Sequence, residues 1–165
     1  MANMAYTVTM ENQTVVADAT LIIVRTAAAI TTRASILEIL RVTVSQQGTS
    51  TSQQLGVIFG QKASAFGTYT STTPAPLRPG GSASGITGGT AGAAGTCGTD
   101  ASAEGAGAVT TMHTEGFNNL SGFLWVPTPE ERFVIPTDIA FIVKLRGTPT
   151  TLTGWNATLT FAELN

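Results

Sequence analysis

The feature that most constrains this chain is a side-chain period of two. Near the C-terminus Trp155, Ala157, Leu159 and Phe161 alternate with Asn156, Thr158, Thr160 and Ala162. Successive side chains of an extended strand point to opposite faces, so this run is a strand with one apolar face and one Thr/Asn face. Tyr6, Val8 and Met10 alternate with Thr7 and Thr9, and Leu55, Val57 and Phe59 alternate with Gly56, Ile58 and Gly60. Nothing sustains a 3.6-residue period with caps; Ala27–Arg33 allows a single helical turn, and Thr31 and Thr32 disfavour more.

Three further runs, Leu21–Val24, Ile36–Val44 and Ile139–Leu145, are apolar on both faces and rich in β-branched residues. They read as central strands, or as strands with one face on the core and one on a partner. Strands are therefore predicted at residues 5–10, 14–24 (in two pieces), 35–45, 54–62, 108–113, 122–126, 132–135, 139–145 and 154–163. Turn signals separate them at Gly48, Gly67, Gly122, Pro127–Pro129, Pro136 and Gly147–Pro149. Many short strands with Gly/Pro turns imply an all-β fold, a jelly-roll-like β-sandwich of about eight strands. The 165 residues suit one domain spanning 1–165.

Residues 70–107 break the pattern. They carry Pro74, Pro76 and Pro79 and a dense series of glycines from Gly80 to Gly107, with no hydrophobic period. Ordinary connections run to about 4–6 residues, and ordering glycine costs entropy. The span is expected to be a long Pro/Gly-rich loop or arm, either disordered or ordered by lying along another subunit. Within it Thr73–Pro79 is expected to be extended and better ordered than the remainder. Its Gly-Gly pairs precede no amphipathic helix and no Lys-Ser/Thr, so they make no phosphate cradle.

Charge narrows the function. Only 11% of residues are charged and the net charge is −2, against a usual charged share of about 25%. The cations are scattered, so the concentrated basic footprint of a nucleic-acid binder is missing. No run of about 18 apolar residues spans a membrane, and the start MANMAYTVTMENQ does not read as a signal peptide. A neutral surface of Thr, Ser, Gly, Ala and Gln sets little repulsion against packing into an assembly.

The chemical inventory is thin. Cys97 is the only cysteine, so no intramolecular disulfide forms; in a Gly-rich segment it reads as an inert small residue. His113 is the only histidine, which excludes multi-histidine metal sites, and no G-x-S-x-G accompanies it. It reads as a strand-end or interface residue. Glu130 and Glu131 are adjacent, which on a strand sends them to opposite faces, and they follow Pro127 and Pro129; they read as solvated carboxylates of a Pro-initiated turn, one of them available to Arg132. No D-x-D-x-D loop supports calcium. The chain is thus expected to have no catalytic residues, no cofactor and no metal. Counting by two, Glu38 shares a face with Leu40 and Val42, and Arg41 shares the other with Leu37 and Ile39. Either one face is solvated, as on an exposed edge strand, or these charges pair across a subunit boundary.

Five segments in order, Tyr6–Asn12, Glu38–Val42, Thr73–Leu77, Trp125–Arg132 and Thr158–Leu164, resemble a family of small, mostly unassigned structural proteins of tailed bacteriophages and prophages. The resemblance covers most of the chain. It implies a virion structural protein, a capsid decoration or cement protein on the capsid exterior, made in the bacterial host cytoplasm. Its implied partners are the major capsid protein and itself, as a homo-oligomer with a trimer favoured. The Gly-rich part of the long span looks like an elaboration of that family's pattern. Cement function needs contact area and aromatic anchors rather than chemistry. The interface candidates are Phe117, Phe123, Trp125 and Phe133 around the Pro turn, Glu38 and Arg41 on the middle strand, and Pro74, Pro76 and Leu77 in the extended segment; Phe123 and Trp125 equally fit the core. The alternative is a head-fibre or tail-associated module recognising a host surface glycan, with Asn118 and Asn119 beside Phe117 as its polar groups.

Overall fold

The computed structural model describes residues 4–29, 34–48, 50–90 and 92–164. Its strands are β1 (Met4–Gln13), β2 (Thr20–Arg25), β3 (Leu37–Gln46), β4 (Gln54–Lys62), β5 (Gly67–Ser71), β6 (Ala75–Pro76), β7 (Thr87–Gly88), β8 (Thr96–Glu104), β9 (Val109–Asn118), β10 (Phe123–Trp125), β11 (Val134–Ile135), β12 (Ala140–Arg146) and β13 (Trp155–Glu163). They form two sheets. The first has the order β10-β3-β13-β1-β6 with β11 also on β3; the second has the order β5-β8-β2-β12-β4-β9 with β7 also on β8.

Within these sheets β1-β13-β3-β10 faces β2-β12-β4-β9. The chain changes sheet after β1, β2 and β3, stays in the second sheet from β4 to β9 except for the two-residue β6 on the edge of the first, then changes sheet again on the way to β10, β12 and β13. First and last strands pair, Tyr6 with Phe161 and Val8 with Leu159. This winding is a jelly roll, and β5 to β8 are an insertion between β4 and β9. Every strand expected from the sequence is present, except that the first half of 14–24 is a connection. Part of the expected turn at Ala27–Arg33, residues 30–33, lies outside the described residues.

The alternating strands supply the core. Trp155, Ala157, Leu159 and Phe161 are buried between the sheets with Tyr6, Val8, Met10, Phe59 and Phe141. The Trp155 indole N–H donates to the Thr151 carbonyl at 3.1 Å, so the largest core side chain keeps its polar atom satisfied. On the opposite face of the first sheet Thr9, Thr158 and Thr43 stand in register across three strands. That Thr row gives this part of the outer surface no charge.

The strands apolar on both faces are central ones. Val24, Phe141 and Val143 enter the main core. Ile23, Ala140 and Ile142 face the other way, where Tyr69 and Ala101 of the insertion cover them, with half-buried Phe66 and Val109. The second face is covered by this chain itself.

The insertion corrects the expectation for 70–107. The described residues of that span are not a bare loop, since strands β6, β7 and β8 lie in it. β8 pairs with β2, Ile22 with Thr99 and Val24 with Cys97, and with β5 on its other side. Gly98 permits the close approach: a Cβ there would lie 2.9 Å from Tyr69 Cβ. Ala75–Pro76 pairs with β1 at Thr7 and Tyr6, as an extended Pro segment at a sheet edge does. Residues 82–86 are held from outside. The Tyr6 hydroxyl lies 3.3 Å from the Ser82 and Ala83 carbonyls, Ser84 Oγ and Gly85 N donate to Glu163 Oε1 at 2.6 and 2.8 Å, and Ile86 is buried in the main core. The accessible surface of 7588 Å² matches the roughly 7,700 Å² that a compact monomer of this mass exposes, so no arm is splayed from the body.

Candidate interaction surface

The densest cluster of charged groups is internal. Glu104, at the end of β8, accepts from Thr20 N at 2.5 Å and Thr20 Oγ1 at 2.9 Å, and Lys144 Nζ lies 3.3 Å from it. Buried Lys62 donates to the Gly105 carbonyl at 2.9 Å. Burial lowers the Lys62 pKa, Glu104 opposes that shift and Lys144 adds to it. A lysine committed to a carbonyl beneath a glycine loop is a staple for the insertion, not a nucleophile. The sequence signal for it was Lys144 itself, a charge inside an otherwise apolar run.

Tyr69 and Cys97 give the same region an alkaline sensitivity. Burial, then the Glu104 charge, pushes the Tyr69 hydroxyl up to about 12; burial pushes the Cys97 thiol up to about 12. The unfolded chain releases these protons near their ordinary values, about 10 and 8.5. Between those values and about 12 the unfolded state binds fewer protons than the folded state, so stability falls as pH rises. Urea midpoints measured from pH 8.5 to 11.5 are expected to decline, and Tyr69→Phe is expected to flatten the decline above pH 10 (roughly the free tyrosine pKa).

Between β9 and β10, at the edges of the two sheets, the aromatic residues converge. Phe59 on β4 is the hub, with ring centroids 5.2 Å from Trp125, 5.3 Å from His113, 5.9 Å from Phe123 and Phe141, and 6.5 Å from Phe133. Trp125 and Phe133 stack at 5.1 Å with an interplanar angle of 8°. Phe117 and Phe123 are buried, 5.8 Å apart, and belong to the core; this corrects the interface reading of Phe117 and selects the core alternative for Phe123. Trp125 and Phe133 are half-buried and pack against the same core. His113 is within β9 rather than at a strand end; it stacks on Phe59, and its Nε2 lies 3.3 Å from Glu115 Oε2.

The surface residues are the alternates of these aromatics. Leu124 is 64% exposed, Val126 61% and Val134 52%. Leu124 is opposite Thr43 and Val134 is opposite Glu38, so both lie along one edge of β3. Half-buried Leu40 lies between them on β3. Four apolar side chains thus form a strip along the outer edge of the first sheet. The period of two was legible; which parity faced outward was not, because both parities are apolar.

A bulge changes the expectation for β3. Thr160 pairs with Arg41 and Phe161 with Ile39, leaving Leu40 as the extra residue. The count by two slips there, so Glu38 and Arg41 share the outer face instead of opposing each other. Nor is β3 an exposed edge, since β13 flanks one side and β10 and β11 the other. Glu38 Oε1 meets Arg132 Nη1 at 3.5 Å. Arg41 is exposed and makes no ion pair among the described residues. The Pro turn forms a short 3-10 helix at Pro129–Glu131; Glu130 and Glu131 are exposed on it, and Thr128 Oγ1 reaches Glu131 Oε2 at 3.2 Å. Arg132 therefore serves Glu38 and not the turn.

In the extended segment Pro74 is buried, Pro76 half-buried on β1, and Leu77 52% exposed. Only Leu77 of these three is available as a contact. Asn118 donates to Ser52 at 2.7 Å, and buried Asn119 to Gln46 and the Thr51 carbonyl, so both build the turn before β4. Shallow grooves lie among the described residues. One of about 610 Å³ runs over Gly56 and Gly116 beside Gln54, Thr114 and Arg146. Another, about 590 Å³, lies between β1 and β5 and is lined by Thr9, Glu11, Thr70 and Thr99. No group of three or more His, Cys, Asp or Glu among the described residues is placed to hold a metal, and no helix among them is long and apolar enough to cross a membrane. Comparisons of this chain with family models, with curated proteins and with solved structures return no match.

Proposed function

We propose that this protein is a virion structural component, a capsid decoration protein that binds the outer shell of a tailed phage and adds contact area at capsomer seams. The observation that carries the reading is the strip of Leu124, Val126, Val134 and Leu40 on the outer face of the first sheet. Contiguous exposed apolar side chains on a charge-poor surface mark a protein–protein contact. The resemblance to small tailed-phage structural proteins points the same way and implies a homo-oligomer, with a trimer favoured, seated on the major capsid protein. Its β-sandwich supplies a rigid platform and needs no reactive centre for this role.

Adding the purified protein to shells that lack it and sedimenting the mixture tests the reading. The protein is expected to pellet with the shells and to raise their resistance to heat or low salt. A protein left in the supernatant counts against the decoration role.

One feature favours a second reading, a head-fibre or tail-associated module recognising a host surface glycan. The groove over Gly56 and Gly116 has a bare backbone floor and the exposed Arg146, Gln54 and Thr114 around it. Few copies per virion, bound to the tail or to fibres, would select this reading over the first.

A further inference from the structure

We infer that the apolar strip along β3 is closed by a second copy of this chain, with Arg41 of each copy paired to Glu130 or Glu131 of the other. This rests on reading the chain as an assembly protein: it assigns the strip to a contact between copies, which leaves capsid binding to another face, and its two-fold departs from the trimer that the family resemblance implies.

Charges of opposite sign flank the strip. Arg41 stands beside the register of β10, where Trp125 is opposite Val42 and the chain continues to Val126. Its guanidinium is exposed and meets no carboxylate among the described residues. Glu130 and Glu131 are exposed on the turn that leaves the strip after Val126 and rejoins β3 where the Ile39 amide donates to the Phe133 carbonyl at 2.9 Å. The two nearest alternative partners are committed, since Glu38 and Arg132 pair with each other. One unpaired cation and two unpaired carboxylates therefore border the same four apolar residues. In a chain with eight basic and ten acidic residues, such a grouping is a selective feature. A copy turned by half about the strip covers Leu124, Val126 and Val134 with their own counterparts and meets each Arg41 with a carboxylate. That is a self-complementary, isologous contact. A three-fold ring would instead need a second, different patch. Desolvated apolar centres flanked by complementary charge set both affinity and partner choice.

Sedimentation velocity on the full chain tests this with charge exchange. Wild type is expected to dimerise reversibly. Arg41→Glu alone, and Glu130→Arg/Glu131→Arg alone, are each expected to weaken dimerisation at least about tenfold. An equimolar mixture of the two variants is expected to restore it, because the mixed pair regains both ion pairs, one with its native signs and one with them exchanged. All three positions are exposed, so circular dichroism and urea midpoints are expected to stay at wild-type values. A wild-type chain that is monomeric up to its solubility limit, a trimer, or a mixture that stays dissociated overturns the pairing. A virion that holds the protein while any of these is observed leaves the structural role standing; absence from virions with dimerisation intact removes the role and leaves the pairing.

Discussion

Phe59→Ala is expected to destabilise the fold by about 4 kcal/mol, the range for deleting a fully buried aromatic side chain. Phe59 is fully buried and is the ring that His113, Trp125, Phe123, Phe133 and Phe141 all approach. Its removal opens a cavity where the two sheets meet at β9 and β10. The neighbouring rings cannot collapse into it without breaking the 5.1 Å stack of Trp125 on Phe133. Urea unfolding is expected to show a lower midpoint with an unchanged slope. Near-ultraviolet dichroism is expected to lose its Trp125 contribution. Phe59→Leu, which refills part of the volume, is expected to recover more than half of the loss.

The second large effect is at Glu104. Glu104→Ala is expected to cost about 2–3 kcal/mol, below the full penalty for breaking a buried ion pair because the site is partly wet. The side chains of Lys144 and Glu104 are 20% and 25% exposed. The substitution leaves Lys62 and Lys144 facing each other without their carboxylate and frees both Thr20 groups that bond to it. The damage is expected to be local first. Hydrogen exchange should accelerate in β5 and β8 before it does in β3 and β13, because Glu104 ties the insertion to the jelly roll. Uniform acceleration across both sheets would argue that the insertion and the jelly roll unfold as one unit.

The architecture was legible where one residue parity was apolar and the other was not. The Trp155–Phe161 run set its strand, its face and its place in the core, and the turn glycines and prolines divided the rest. The insertion was hidden because β8 is built from Thr96, Cys97, Gly98, Thr99 and Ala101, residues too small to show a hydrophobic period. Its order comes from distant groups, Tyr6, Glu163 and the outer edge of β2, which no local reading of 70–107 contains. The same limit applied to the surface. Phe123, Leu124, Trp125 and Val126 are all apolar, so the sequence left the aromatic parity open between core and interface. The register on β3, with Phe123 opposite buried Val44 and Trp125 opposite buried Val42, turns the aromatics inward and leaves the aliphatic parity outside. The bulge at Leu40 was equally invisible, since nothing in Glu38–Val42 marks the extra residue.

The account rests on the claim that this neutral sandwich works by being covered by other protein in a virion. Quantitative mass spectrometry of virus particles purified from cells that carry the gene for this chain tests it most directly. The account expects the protein in a fixed stoichiometric ratio to the major capsid protein. Virions that lack it, while the infected cell contains it, would contradict the account.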